Sequence, residues 1–320
     1  MARWGLVATV KAPEDKVLAF VAHHLTLGAE HLWIYFDDPE DPAHAAVARH
    51  PRVTATLCDT TYWTGKKRHD RHQNRQSRNA RDAYERCTTD WLGHIDVDEF
   101  ILPDRPLGDI LQDAPDSQLV VKLEPFEAMH DPLLPDDIYT AGEFRGALRH
   151  EFWRFRRRAL REYRTVIRDG LLSHSVGKVL FRSGIPDLSP RLHSVMLNGV
   201  RLPAPDWCAE ARLLHFHAQD RKAWTEALPF RLAGGAYQYQ ATMQDHLTNA
   251  TAAEIDDFYL TTQVLSLEVS QRLQAVGRVL TADLKLRDKV RALREGKLDR
   301  SEEHTSNSSH PSISRMPSSA

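Results

Sequence analysis

Asp96 and Asp98 form the chain's only Asp-x-Asp, within Trp91-Leu-Gly-His-Ile-Asp96-Val-Asp98-Glu99-Phe100. The apolar run Trp91–Ile95 reads as a strand, and at an extended strand end residues i and i+2 project to one side. Two carboxylates so placed can hold a hard divalent cation, directly or through water. Mg²⁺ in particular takes few protein carboxylates together with substrate phosphates. Such a metal, bridged to a diphosphate, neutralises charge as the diphosphate leaves. An acidic loop that merely follows a strand is the plain alternative. Further on, Ala211-Arg-Leu-Leu-His215-Phe-His217 ends a short apolar stretch with two histidines on one strand face. Neutral imidazole is a good ligand for Mn²⁺ and similar ions; ordinary polar residues at a strand end are the competing reading.

The elements that must position these groups alternate along the first 125 residues. Trp4–Val10 is a short apolar run, read as a buried strand. Pro13-Glu14 then opens a helix, with Pro near the first turn and an acid where the helix dipole favours one. Val17, Phe20, Val21 and Leu25 fall at helical spacing, and Gly28 is the expected stop. His31–Phe36 and Val53–Cys58 read as the second and third strands. Asn74–Cys87 reads as a helix with Ala80, Ala83, Tyr84 and Cys87 on one face. Trp91–Ile95 is the fourth strand and Gln118–Leu123 the fifth. This alternation predicts an α/β fold with a mostly parallel sheet covered by helices. In such sheets ligands sit beyond the carboxyl ends of the strands. Lys11, Asp37, Asp38, Asp59, Asp96 and Asp98 should therefore converge on one edge.

The segment 126–240 is less regular, with Pro-rich turns, short strand candidates (Lys178–Arg182, Arg212–Phe216) and a basic run. From Thr251 onward the pattern is helical, opened by capping-box spacing in Thr251-Ala-Ala-Glu254. The organisation expected is a 1–125 half that binds a nucleotide ligand, a 126–240 half on the acceptor side of the same domain, and a helical segment 241–299. The last 21 residues, Arg300–Ala320, carry eight serines and no periodicity. They resemble a translated sequencing adapter, and a disordered, non-native tail is expected there.

With 42 Lys and Arg against 44 Asp and Glu, no overall field favours nucleic acid. Cys58, Cys87 and Cys208 are too few and too scattered for a disulfide framework and fit a reducing compartment. The N-terminus lacks a signal-peptide core, and no run approaches the ~18 apolar residues of a membrane span. A cytoplasmic location is expected. Two basic stretches stand out: Lys66–Arg86, with eight Lys and Arg, and Arg149–Arg168, with eight Arg. A solvated helix face is the common reading of such runs. In the first, Arg71, Arg75 or Arg78 is placed to approach phosphates just ahead of the metal strand. The second suits an anionic acceptor or a peripheral contact with the acidic inner membrane.

Taken in order, Val10-Lys11-Ala-Pro-Glu14, His23-His24-Leu-Thr-Leu-Gly28, Ile34-Tyr-Phe-Asp37-Asp38 and Asp96-Val-Asp98-Glu99-Phe100 resemble the bacterial glycosyltransferase family 2-like proteins. The match covers about residues 5–103, with a weaker continuation at Gly177-Lys178 and His215-Phe216. The resemblance implies a GT-A fold, a nucleotide-diphosphate sugar donor, Mn²⁺ or Mg²⁺, and a glycan or lipid-linked acceptor. It implies donor contacts at Lys11, Glu14, Asp37 and Asp38, to which the basic stretch adds Arg75 and Arg78, and metal ligands at Asp96, Asp98 and His215. Pro13 stands where the family usually has Asn, so that side-chain contact to the donor is lost. Inverting sugar transfer also needs a general base, and Glu124, Glu127 and Asp131, after the fifth strand, are its candidates. Ser173-His174-Ser175 lacks the elbow motif of a serine nucleophile. The competing functions are a metal-dependent phosphohydrolase built on the Asp-x-Asp and a non-catalytic protein binding through its basic patches.

Overall fold

Strand β1 (Trp4–Val10) is buried at every position except the half-buried Thr9, as a near-continuous apolar run requires of a strand covered on both faces. The computed structural model describes residues 1–135 and 139–298. After β1 come α1 (Glu14–Thr26), β2 (His31–Phe36), α2 (Ala43–Val47), β3 (Val53–Leu57), α3 (Thr60–Trp63) and α4 (His72–Arg86). They are followed by β4 (Trp91–His94), β5 (Glu99–Pro103), α5 (Leu107–Gln112), β6 (Val120–Ala128), β7 (Glu143–Gly146), α6 (Trp153–Leu160) and β8 (Lys178–Arg182). A small separate antiparallel sheet contains β9 (Leu188–Pro190), β10 (Val195–Leu197) and β11 (Val200–Arg201). The chain continues with β12 (Trp207–His215), α7 (Arg221–Ala233), α8 (Ala241–Asn249), α9 (Ala252–Gln263), α10 (Leu267–Gln274), β13 (Val279–Thr281) and α11 (Leu286–Arg294).

The fold is α/β and Rossmann-like, as expected. Strands β3, β2, β1 and β4 lie side by side and parallel, so their carboxyl ends share one edge. Beyond β4 the direction alternates: β8 enters antiparallel between β4 and β6, and β7 and β13 follow antiparallel. Strand β12 runs parallel to β6 and antiparallel to β5, which sets His215 beside Glu99 on one side and Glu127 on the other.

Several expected boundaries move. The fifth expected strand does not stop at Leu123: β6 continues to Ala128, so Glu124 and Glu127 lie within it and only Asp131 follows it. The division expected near residue 125 thus falls inside a strand. An unexpected strand, β5, begins at Glu99, immediately after the acidic turn. The segment from 241 onward is mostly helical, but its β13 joins the sheet edge against β7. Residues 300–320, expected to be a disordered tail, lie outside the described residues.

Helix α1 is tied to β5 by the twin histidines. His23 Nε2 donates to the Ile101 carbonyl at 2.9 Å. The Ile101 N–H donates to His24 Nε2 at 3.3 Å, while His24 Nδ1 donates to the Phe20 carbonyl at 2.8 Å. The two rings thus satisfy both backbone groups of Ile101 that face away from β12. This matters because an unpaired buried backbone group costs about as much as a lost hydrogen bond. Phe100 stacks on His24 at 5.8 Å between ring centres and packs against Phe20, Tyr139 and Phe216. Gly28, at φ +92°, ends the helix in a conformation that favours glycine.

Candidate active site

The strand order brings the turn 95–98, the start of β8, the end of β12 and the middle of α4 to the carboxyl edge of the parallel strands. The Asp-x-Asp pair does not act as a unit there. Asp96 lies just past β4, and its Oδ2 accepts from Lys178 Nζ at 2.7 Å while Oδ1 accepts from Gln76 Nε2 at 2.6 Å. Its N–H donates to Glu99 Oε2 at 2.7 Å, which closes the turn. Lys178 Nζ also stands 3.4 Å from Glu99 Oε2, and both side chains have no exposed surface.

A buried ammonium survives only with compensating carboxylates. Burial by itself would lower Lys178, but Asp96 and then Glu99 outweigh it and raise the group above the ordinary lysine value. Burial likewise pushes Asp96 up, and Lys178 more than reverses this, holding the carboxyl well below the usual range. Lys178 is aimed by Gly177, whose φ of +73° and closeness to β6 exclude a side chain: a Cβ there would lie 2.2 Å from the Leu123 carbonyl oxygen.

Asp98 turns to a different partner. Its Oδ2 is 3.5 Å from His215 Nε2 at the end of β12, and its carbonyl accepts the Phe216 N–H at 2.9 Å. Burial works against protonating His215, yet the neighbouring Asp98 carboxylate overrides it and lifts the imidazole to about 9. For Asp98 burial acts upward, and His215 draws the carboxyl below its ordinary value. His217, two residues on, stacks 5.3 Å from His215, and its Nε2 lies 3.0 Å from the Tyr237 hydroxyl. Trp224 Nε1 donates to that same hydroxyl at 2.8 Å, which fixes the tyrosine. Burial, followed by Arg231, holds His217 far below the usual value, so it is neutral.

Asp98, His215 and His217 offer one ligand atom each within 4.8 Å of one another. Glu99, His174 and His215 form a second such group. His174 Nε2 is 3.1 Å from Glu99 Oε1, and its ring lies 5.2 Å from His215 and 4.5 Å from His193. The buried Nδ1 atoms of His174 and His215 have no hydrogen-bond partner among the described residues. One carboxylate with two imidazoles is a donor set suited to Mn²⁺ and similar ions. The residues at this edge therefore fit a divalent metal at Asp98, His215 and His217, with Asp96 committed to Lys178.

The expected donor-binding residues divide. Arg75 is spent on Asp37 through two 2.6 Å bonds and on the carbonyls of His69 and Asp70 at 2.8 and 2.6 Å. That pair builds the wall of the site; neither partner is free for phosphate. Arg78 is half-buried one turn further along α4. Lys11, exposed, and Asp38, half-buried, face each other at 4.0 Å across the rim. Glu14 sits at the start of α1, where it pairs with Arg294 at 3.0 Å.

The base candidates are mostly committed. Glu124 accepts from Arg278 at 2.8 Å, with Arg149 at 3.8 Å. Glu127, fully buried, accepts the N–H groups of Leu172 and Ser173 at 2.9 and 2.8 Å. Gln240 Nε2 donates to the carbonyls of the same two residues at 2.9 Å. The loop that carries His174 is thus gripped from both sides. Asp131 commits Oδ1 to the Leu133 N–H at 2.9 Å.

Gln76, Lys178 and His174 belong to the site without having been assigned a role from sequence. Gln76 shares the inner face of α4 with Arg75, Asn79, Ala80 and Ala83, all buried. An apolar pattern detects only the alanines of that face. For Lys178 the signal is a glycine-lysine pair opening an apolar strand.

No family model and no curated protein matches the chain. Among solved structures, the chain is similar to TarS residues 1–349 from S. aureus, at 10% identity, 93% of this chain, 88% of that one and a TM-score of 0.33. It is also similar to CMP:2-keto-3-deoxy-manno-octonic acid synthetase complexed with CTP, at 16% identity over 39% of this chain and 53% of that one, TM-score 0.26. HddC from Yersinia pseudotuberculosis matches at 9% identity over 41% of this chain and 65% of that one, TM-score 0.27. The matches to the synthetase and HddC each span less than two thirds of those chains.

Proposed function

We propose that this chain is a metal-dependent glycosyltransferase that moves a sugar from a nucleotide-diphosphate sugar to a glycan or lipid-linked acceptor. The observation that carries the reading is the Asp98–His215–His217 donor set at the carboxyl edge of the parallel strands, where such sheets bind their ligands. Asp98, His215 and His217 would hold Mn²⁺ or a similar transition ion, which when bound neutralises the departing diphosphate. Lys178 offsets one of the two negative charges of Asp96 and Glu99 at the same edge, which lessens the repulsion of an anionic donor. Lys11 and Asp38, on the rim at the ends of β1 and β2, orient the base and ribose. Glu127 and Gln240 hold the His174 loop rigid against the metal ligands. Asp131, which commits one oxygen to its own turn, accepts the proton of the acceptor hydroxyl.

An aspartyl-phosphate mechanism is less well supported. It needs a nucleophilic carboxylate, and Asp96 spends both oxygens on Lys178 and Gln76. The test is a panel of nucleotide-diphosphate sugars in thermal-shift measurements with and without Mn²⁺, followed by product analysis. A donor should raise the melting temperature only with the metal present, as a ligand specific to the folded state does. Indifference to every donor in the presence of Mn²⁺, or release of phosphate from simple phosphomonoesters, would refute the reading.

A further inference from the structure

Helix α6 presents an arginine face to solvent on the segment that leads into the His174 loop. The inner side of α6 buries Ala159 and Leu160, with Phe152 and Phe155 packed against the same core. The outer side shows Trp153, Arg154, Arg157 and Arg158, all exposed, at spacings that place them on one helical face, and the exposed Arg161 follows directly after the helix. Trp153 is 51% exposed, and the Arg154 guanidinium lies 5.3 Å from its ring centre. Arg164 and Arg168, also exposed, extend the basic surface beyond the helix. Over residues 149–168 there are eight arginines against two glutamates. Glu268, at the start of α10, pairs with Arg158 at 3.2 Å, and the adjacent Leu267 is 76% exposed. Arg161 pairs with Glu162 at 3.7 Å, whereas Arg154 and Arg157 have no acidic partner among the described residues.

We propose that this face, centred on Trp153, Arg154 and Arg157, docks the protein onto an anionic phospholipid bilayer. The charge is complementary to acidic headgroups, and long arginine stems reach such a surface while keeping their charge in water. The indole decides between a bilayer and a soluble polyanion. An exposed tryptophan flanked by cations matches the headgroup boundary, where amphipathic rings concentrate. A soluble polyanion offers no apolar layer to cover Trp153 and Leu267. The inference stands on this face alone and does not depend on the reaction proposed above. No helix among the described residues is long and apolar enough to cross a membrane, so the contact is peripheral.

The test is co-sedimentation of the full chain with two vesicle types, phosphatidylcholine alone and phosphatidylcholine mixed with phosphatidylglycerol. The protein should sediment only with the anionic vesicles, and less so as salt is raised. The variant Arg154→Gln/Arg157→Gln/Arg161→Gln should bind roughly a hundred-fold more weakly, about five-fold per arginine. Trp153→Ala should weaken binding several-fold with the salt dependence retained. Unchanged melting curves would show that both variants fold, as expected for exposed side chains. Equal binding to both vesicle types, or wild-type binding by the triple arginine variant, would overturn the proposal. So would soluble polyphosphate binding that the triple variant loses, if the vesicles fail to sediment the wild-type protein.

Discussion

Lys178 Nζ lies 2.7 Å from Asp96 Oδ2, so one half of the Asp-x-Asp is neutralised by a cation of the chain itself. The other half, Asp98, faces His215 at 3.5 Å. The two aspartates, adjacent but for one valine, therefore have separate jobs. One closes a buried charge network, and the other pairs with His215 in the cluster proposed above to hold a metal.

Lys178→Met should unfold the protein more easily than any exposed lysine variant. It strands Asp96 and the fully buried Glu99 without their counter-charge, at a cost of about 3–5 kcal/mol. Adding Asp96→Asn to Lys178→Met should restore part of the loss. Urea denaturation of the four members of this double-mutant cycle gives the coupling. Strictly additive losses would mean that the pair does not interact as described.

Asp98→Ala and His215→Ala should each weaken Mn²⁺ binding at least ten-fold, by analogy with the cost of disturbing a metal's supporting residues. Asp96→Asn should weaken it less, because Asp96 is held by Lys178 and Gln76. Calorimetric titration with Mn²⁺ alone separates these cases. If the Asp96 variant loses the metal while the Asp98 variant keeps it, the assignment is reversed.

Glu127→Gln should loosen the His174 loop without unfolding the protein. The amide keeps one acceptor oxygen for the two N–H groups of Leu172 and Ser173, and a buried donor left unpaired costs about 1–3 kcal/mol. Native-state hydrogen exchange should show reduced protection at Leu172 or Ser173, with β1 amides unchanged. Equal protection in the variant and the wild type would count against the clamp.

His24 predicts an acid limit to stability. Burial disfavours its imidazolium and brings it down to about 3, with the Phe20 carbonyl opposing and Lys289 assisting. The unfolded chain, titrating near the ordinary 6.5, binds the proton first. This contribution is therefore complete above about pH 6.5 and falls away as the pH drops toward the folded value, a loss of a few kcal/mol. His24→Gln should be less stable at pH 7 and should show a shallower decline of the urea midpoint between pH 6 and pH 4. An unchanged slope would mean that other groups carry the acid sensitivity.

The apolar runs Trp4–Val10, His31–Phe36 and Trp91–His94, and the helix between the first two, are determined locally. Strand and helix periodicity, a proline at the helix start and a glycine at its end are properties of neighbouring residues, and they suffice to place the parallel half of the sheet. They also bring Asp37, Asp38, Asp96 and Asp98 to one edge, since the ends of parallel strands must lie together. Sequence could not divide the two aspartates between Lys178 and His215. Those partners arrive on β8, antiparallel to β4, and on β12, between β5 and β6. Such pairings join residues 82 and 117 positions apart, read from Asp96 to Lys178 and from Asp98 to His215. No local pattern encodes them. The same holds for Arg75 and Asp37, which look like two free donor-binding groups in the chain and form a closed ion pair in space. Charged residues announce their chemistry in sequence, but their availability depends on which opposite charge the fold sets beside them.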